Sequence, residues 1–403
     1  MRRPPPGGLW AVGCGLWEPR PRGAESERRQ VMPVITSPQV GVALDMFGCP
    51  NRCRHCYLGT PPPFARRLTD DDLRWVVEGF RAFKRLGEAQ PLFRELRVAT
   101  SFREPDYSDD YRRLLELENE LSDLPPGRAK YELLSVWRLA RDADYAPWAY
   151  DIGLRVSQLS FFGLEKATDW AHRRRGAFRD LLLATERLLA VGIRPRWQWF
   201  LTKRIIPDLP GLLALVRDLR LRERCEALGG PFRLFLHCPA PDGEAWNLER
   251  LRPTARDVAH VSALLRESGA LDILRPVGEP EGHLLHQLIG EQGPAVSVEE
   301  LTAPDGFWFF VLPNFDVYSN LGELSPPWRL GNLKTDSLAA IVDALDNDRP
   351  PGLHAMFRVP VSELARRFGR PRSQRVYDPS DLKSRWVRMY LEDSRGPQPE
   401  GRQ

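Results

Sequence analysis

The sequence predicts an α/β protein, a partial (β/α)6 barrel of the TIM type followed by a smaller α+β extension, and three observations carry that expectation. Apolar runs rich in β-branched and aromatic residues alternate with amphipathic helical stretches from Gln39 to Cys238. Strands separated by helices that run back along them build a parallel sheet with right-handed crossovers, and about six such units curl toward a barrel. Beyond Pro239 the alternation fails, and a Pro/Gly-rich stretch at Arg275–Gly282 marks a boundary.

Taken in order, Gln39–Gly48 (QVGVALDMFG) reads as a buried strand ending in a glycine-led loop. Leu68–Leu86 is an amphipathic helix with Thr69 or Asp70 as its N-cap, and Leu92–Thr100 is the second strand. An acidic helix follows at Asp110–Leu124, then a strand at Tyr131–Leu139 and another at Arg155–Gly163. Phe178–Gly192 is a helix closed by glycine, Arg194–Thr202 a strand, Leu209–Leu228 a helix and Phe232–Cys238 the last strand of the series. The expected division is a flexible N-terminal arm at 1–36, the barrel at 37–240, a linker with a helical segment at 241–304, the extension at 305–396 with a hairpin-like FWFFVLPNFDVYSNLG, and a disordered tail at 397–403.

Composition narrows the function classes. The 403 residues carry 58 basic and 54 acidic side chains, a net charge of +4, and because lysine occurs six times, 52 of the basic residues are arginine. They are scattered along the chain, which argues against a dedicated nucleic-acid patch. No run approaches the roughly 18 apolar residues of a membrane span, and the Pro/Gly-broken N-terminus does not resemble a signal peptide. Six cysteines, with Cys14, Cys225 and Cys238 far apart, make no disulfide framework and fit a reducing cytoplasm.

The other three cysteines lie within eight residues of one another, in DMFGCPNRCRHCYLG. At this cysteine content a chance C-x3-C-x2-C is on the order of one in a thousand, so the spacing has a chemical reason. One tight loop can aim Cys49, Cys53 and Cys56 at a common centre. Structural zinc takes four protein ligands and would have to recruit His55, His237 or Cys238. A [4Fe–4S] cluster can be held by three thiolates, with its fourth iron open to a non-protein ligand.

Cys49-Pro-Asn-Arg-Cys53-Arg-His-Cys56, after a first strand and before Tyr57, resembles the cysteine loop of the radical S-adenosylmethionine (radical SAM) superfamily. The resemblance spans Ser37 to Cys238. It implies one [4Fe–4S] cluster on Cys49, Cys53 and Cys56, S-adenosylmethionine (SAM) on the fourth iron, and reductive cleavage to a 5′-deoxyadenosyl radical that takes hydrogen from a substrate. It also implies an external low-potential electron donor of the flavodoxin or ferredoxin type. His55 stands where the family places a residue against adenine. Ser101-Phe102-Arg103-Glu104-Pro105 occupies the place of the family's Gly-Gly-Glu-Pro: Glu104 would receive the SAM amino group, while Phe102 and Arg103 replace glycines where backbone normally approaches the ligand. Arg155–Phe178 is similar to the strand, loop and helix that contact the ribose and carboxylate. Alternation sets Gln158 and Ser160 on one face as ribose candidates, and His172 leads a pool with Arg173, Arg174 and Arg175 for the carboxylate.

Val317-Tyr318-Ser319-Asn320 followed by Leu330-Gly331-Asn332 resembles the SPASM or twitch extensions of radical SAM enzymes, most of which modify peptides. Asn320 stands where those extensions have a cysteine, and no cysteine follows Cys238, so an auxiliary thiolate-bound cluster is not expected there. The resemblance points to a peptide substrate, with small molecules as the alternative. Two other readings stay open: a non-catalytic barrel with a structural metal or a degenerate SAM site, because the glycines before Glu104 are missing, and an arginine-rich RNA-modifying enzyme of the same superfamily, although no RNA-binding appendage is recognisable.

Overall fold

The structure is a computed structural model that describes residues 37–46, 48–59, 66–101, 103–123, 133–296 and 307–394. The expected arm, the expected tail and Phe102 lie outside the described residues.

Gln39–Leu44 forms β1, and Thr69 caps α1 (Asp70–Ala82) through a capping box with Asp72. Then come β2 (Glu95–Ala99), α2 (Tyr111–Leu121), α3 (Val136–Leu139), α4 (Tyr145–Asp151), β3 (Val156–Phe161), α5 (Glu165–His172), α6 (Ala177–Val191) and β4 (Arg194–Phe200). They are followed by α7 (Leu209–Asp218), α8 (Leu221–Ala227), β5 (Arg233–His237), a 3-10 helix at Gly243–Leu251, α9 (Ala255–Glu267), β6 (Glu279–Pro280) and α10 (Glu281–Leu288). The rest comprises β7 (Phe307–Val311), β8 (Asp316–Ser319), β9 (Gly331–Asn332), α11 (Leu338–Asp346), α12 (Pro351–Phe357), α13 (Val361–Phe368), β10 (Val376–Tyr377) and α14 (Pro379–Ser394).

The α/β expectation holds, with parallel strands in two sheets. One sheet runs β2-β1-β7-β8-β9, in which β2, β1 and β7 are parallel and the β7–β8–β9 portion is antiparallel. The other is the parallel set β3-β4-β5, and among the described residues no ladder joins β2 to β3. The strand expected at Tyr131–Leu139 is corrected: its described part holds the short helix α3, whose N-cap Ser135 accepts from the Arg138 amide at 3.1 Å. The helix expected at Leu209–Leu228 is two helices, broken where Arg220 takes a left-handed φ of 49°.

Faces follow from strand parity. On the first sheet Phe309 points to the helix layer, its ring 4.9 Å from Phe80 of α1. Trp308, on the opposite face, lies flat against Gly41 of β1, where a Cβ would fall 2.0 Å from the indole. On the second sheet Leu159, Phe161, Trp197, Trp199 and Leu236 pack into the helix-side core, and the Trp197 indole donates to Thr185 of α6 at 3.2 Å. That leaves Gln158 and Ser160 of β3, Arg196, Gln198 and Phe200 of β4, and Phe235 and His237 of β5 on the inner face. No described helix is long and apolar enough to cross a membrane.

Candidate active site at the carboxyl ends of the strands

The cysteine loop leaves the carboxyl end of β1 and is tied down at both ends by one side chain. Arg103, in the loop after β2, donates from Nε to Asp45 at 2.9 Å and from a terminal nitrogen to the Gly59 carbonyl at 3.2 Å. Both partners of the Arg103–Asp45 pair are almost fully buried, so the bulk at Arg103 acts as a strut across the loop.

The middle of the loop docks on the carboxyl end of α5. A helix end leaves carbonyls without intrahelical partners, and here loop donors take them. The Arg52 amide donates to His172 O at 3.3 Å, the Arg54 amide to Ala171 O at 2.7 Å, and Arg54 Nε to Trp170 O at 3.2 Å. Asn51 is held by Arg174, whose Nε donates to Oδ1 at 2.6 Å. Arg173 closes the helix in a left-handed conformation and pairs with Glu244 at 3.3 Å.

Two of the three thiols meet residues anticipated from sequence. Cys49 Sγ lies 3.8 Å from Oε2 of buried Glu104, and Cys53 Sγ lies 3.5 Å from His172 Nδ1. Glu104 Oε1 accepts from the Ser135 hydroxyl at 2.8 Å and the Trp137 amide at 3.4 Å, so α3 holds this carboxylate from behind. His172 Nε2 lies 3.3 Å from the Ser160 carbonyl. A carbonyl only accepts, so Nε2 carries the proton and Nδ1 is the acceptor facing Cys53.

Burial raises all three thiols above their ordinary range; at Cys49 the Glu104 charge adds to it, and at Cys53 the neighbouring Cys56 does. Desolvated thiols of this kind are neutral in the metal-free chain, and a bound cationic centre reverses that preference. Among the described residues no three His, Cys, Asp or Glu groups converge as they would on one ion. A cuboidal cluster takes each thiolate on a different iron.

His55 turns inward among apolar rings, 4.4 Å from Phe162 and 5.0 Å from Phe200 between centroids. Its Nδ1 is buried with no hydrogen-bond partner, and burial holds its pKa well below the ordinary value. An orphaned acceptor or donor in such a pocket suits a ligand that brings its own polar edge.

Below His55 a polar chain crosses the inner face. Gln158 Nε2 and the Ser160 hydroxyl both donate to Gln198 Oε1, at 2.7 and 3.0 Å, and Gln198 Nε2 donates to His237 Nε2 at 2.6 Å. His237 is therefore neutral with its proton on Nδ1, in keeping with burial that lowers its pKa to about 4. Sequence reasoning placed Gln158 and Ser160 on one face, as the strand parity shows, and missed Gln198 as their common partner, although alternation with Trp197 and Trp199 carried the signal. It also missed Ser135 and Gly243. Gly243 meets the cysteine loop at φ 56°, where a Cβ would fall 2.3 Å from Tyr57 O and 2.4 Å from Cys56 O.

No protein-family model matches the chain, and no curated protein matches it. Among solved structures, native anSMEcpe with bound AdoMet aligns at 12% identity with a TM-score of 0.46, covering 89% of this chain and 98% of its own. SuiB of Streptococcus suis bound to precursor peptide SuiA aligns at 13% identity and a TM-score of 0.44, covering 85% and 75%. SuiB bound to S-adenosylmethionine gives 13% and 0.41, covering 80% and 69%. Likeness at this level assigns neither activity nor ligand, and the functional reading stands on the cysteine loop and its neighbours.

Proposed function

We propose that the protein is an iron–sulfur enzyme of the radical SAM type, with Cys49, Cys53 and Cys56 as ligands to three irons of a [4Fe–4S] cluster and SAM on the fourth. The observation that supports this reading is the assembly on one loop of three thiols, with Glu104 beside Cys49 and the orphaned Nδ1 of His55 facing an aromatic pocket. When bound, such a cluster supplies the electron that cleaves the SAM sulfonium, giving a 5′-deoxyadenosyl radical for hydrogen abstraction.

The chain's own residues would divide the binding work. Glu104, held from behind by Ser135 and the Trp137 amide, would accept from the SAM amino group. His55 with Phe162 and Phe200 would take the planar base, and Gln158 with Ser160 the ribose hydroxyls. His172 buttresses Cys53, and Arg174 orients Asn51, whose amide donates to Cys49 Sγ at 3.4 Å. Electrons would come from a flavodoxin-like or ferredoxin-like donor, and the likeness of the C-terminal segment to SPASM-type extensions supports a peptide as substrate.

Anaerobic reconstitution with iron and sulfide tests this directly. About four irons per chain are expected, with loss of bound iron in Cys49→Ala, Cys53→Ala and Cys56→Ala, and 5′-deoxyadenosine on adding SAM and dithionite. A chain that takes up zinc alone, or an iron-loaded chain that leaves SAM intact, overturns the reading.

A further inference from the structure

Arginines that lie far apart in the sequence are gathered by the fold beside the cysteine loop. Arg54 follows Cys53, Arg173 ends α5, Arg204 follows β4 and Arg250 lies on the Gly243–Leu251 helix. Trp170 of α5 ties two of them together: its ring centroid lies 4.6 Å from the Arg54 guanidinium and 3.9 Å from that of Arg204. Burial lowers the Arg54 pKa, and the charges of Arg173, Arg204 and Arg250 lower it further against the opposing charge of Glu244, so the four guanidiniums share one field. Arg173, Arg204 and Arg250 are solvent-exposed. Acidic side chains leave this surface positive. Glu244 pairs with Arg173 at 3.3 Å, while Arg204 and Arg250 have no ion-pair partner among the described residues. Asp169 accepts from the Gly176 and Phe178 amides at 2.6 and 2.9 Å, Glu165 pairs with Arg179 at 2.9 Å, and Glu249 faces Arg385 at 3.2 Å.

We propose that Arg54, Arg173, Arg204 and Arg250 form the docking face for an acidic electron-carrier protein. This deepens the reading above and rests on it: the proposed cluster needs an electron from outside, and the face is where the donor would sit. The Arg54 amide and Nε are fixed to the Ala171 and Trp170 carbonyls, at 2.7 and 3.2 Å. A partner seated on its guanidinium therefore lies against a rigid stretch of the loop that carries all three thiols. An electron carrier has to come that close, because tunnelling falls steeply with distance. A cationic surface with unpaired guanidiniums draws an acidic protein to this point and sets its orientation. Trp170, with two guanidiniums over its ring, is not the bare stacking platform that single-stranded RNA takes.

The first test is equilibrium binding of an acidic flavodoxin and of a [2Fe–2S] ferredoxin to the full, metal-free chain, so its outcome does not depend on iron uptake or SAM cleavage. At least one carrier is expected to bind, about tenfold more weakly in Arg204→Glu and in Arg250→Glu, and more weakly as salt is raised. Arg222→Glu on α8 changes the net charge equally, and the chain runs on from that helix to Gly230, where a Cβ would meet Arg194 at the amino end of β4. That variant is expected to bind like wild type. In the reconstituted protein, Arg204→Glu and Arg250→Glu should slow reduction of the cluster by the carrier about tenfold and leave reduction by dithionite unchanged. Binding of neither carrier, an equal loss in Arg222→Glu, or carrier reduction at the wild-type rate in both variants overturns the proposal. So does a single-stranded RNA or a Glu-rich peptide that binds more tightly than either carrier and is lost in the same variants. Uptake of zinc alone would remove the radical reading without moving the affinities of the metal-free chain, so the two failures are told apart.

Discussion

Asp242 precedes the 3-10 helix at Gly243–Leu251 without capping it, and its carboxyl is pushed up to about 7. Burial is the main cause, the charges of Asp381 and Glu323 add to it, and Arg388 and Arg252 oppose it. Because the folded value lies above the ordinary 3.8, this group's contribution to stability is fully present below pH 3.8 and is lost as the pH rises through about 7. Replacement by asparagine removes that dependence. Urea denaturation of the wild type and Asp242→Asn should show the wild type losing about 1–3 kcal/mol relative to the variant between pH 5 and 8. A difference that does not change with pH contradicts the assignment.

Among the elements, the cysteine loop depends on two neighbours that bring carbonyls or amides to it: the carboxyl end of α5 and the start of the Gly243–Leu251 helix. The Glu244 amide donates to Cys56 O at 2.8 Å, while Gly243 N is held by Glu323 at 2.9 Å and Gly243 O by Arg388 at 3.1 Å. Arg388 also binds both oxygens of Glu323, at 2.8 and 3.0 Å. The turn after β8 and α14 therefore fix the backbone against which Cys56 rests. Gly243→Ala must push the added methyl group into Cys56 O and Tyr57 O, at an expected cost of about 1–3 kcal/mol. Thermal melts should show the loss, and the reconstituted variant should release iron to a chelator faster than wild type. Arg388→Gln weakens the same junction without a clash and is expected to give a smaller shift in both readouts.

For the whole molecule, β7 is the central feature. It lies parallel to β1, and its Trp308 fills the space left by Gly41, so Trp308→Ala should destabilise the chain by about 3–5 kcal/mol in denaturant titration. The positions of β1 to β5 were legible because each is a short apolar run flanked by turn residues, and the grouping of the three cysteines on one loop was legible from their spacing. The pairing of β7 with β1 was not, because nothing local in FWFFV specifies a partner so distant in sequence. Tyr131–Leu139 misled for a related reason: a short apolar run reads equally as strand or helix, and the Ser135 cap and the contact to Glu104 decide it. Glu104 could be named from its motif, whereas its support by Ser135 and the strut from Arg103 to Asp45 depend on side chains meeting across loops.

The place of β7 also orders events in time. During synthesis β1 and the cysteine loop emerge early, yet the strand that covers the second edge of β1 begins at Phe307. At about 5–20 residues per second, that edge stays open for roughly 13–50 s. A nascent chain in that interval exposes an apolar strand edge of the kind chaperones cover. Cys56 likewise lacks the support of Glu323 and Arg388, which come later still. On the proposed cluster assignment, iron loading is thus expected late: ribosome-bound chains ending before Phe307 should hold no stable iron, and chains extended through α14 should become competent to hold it.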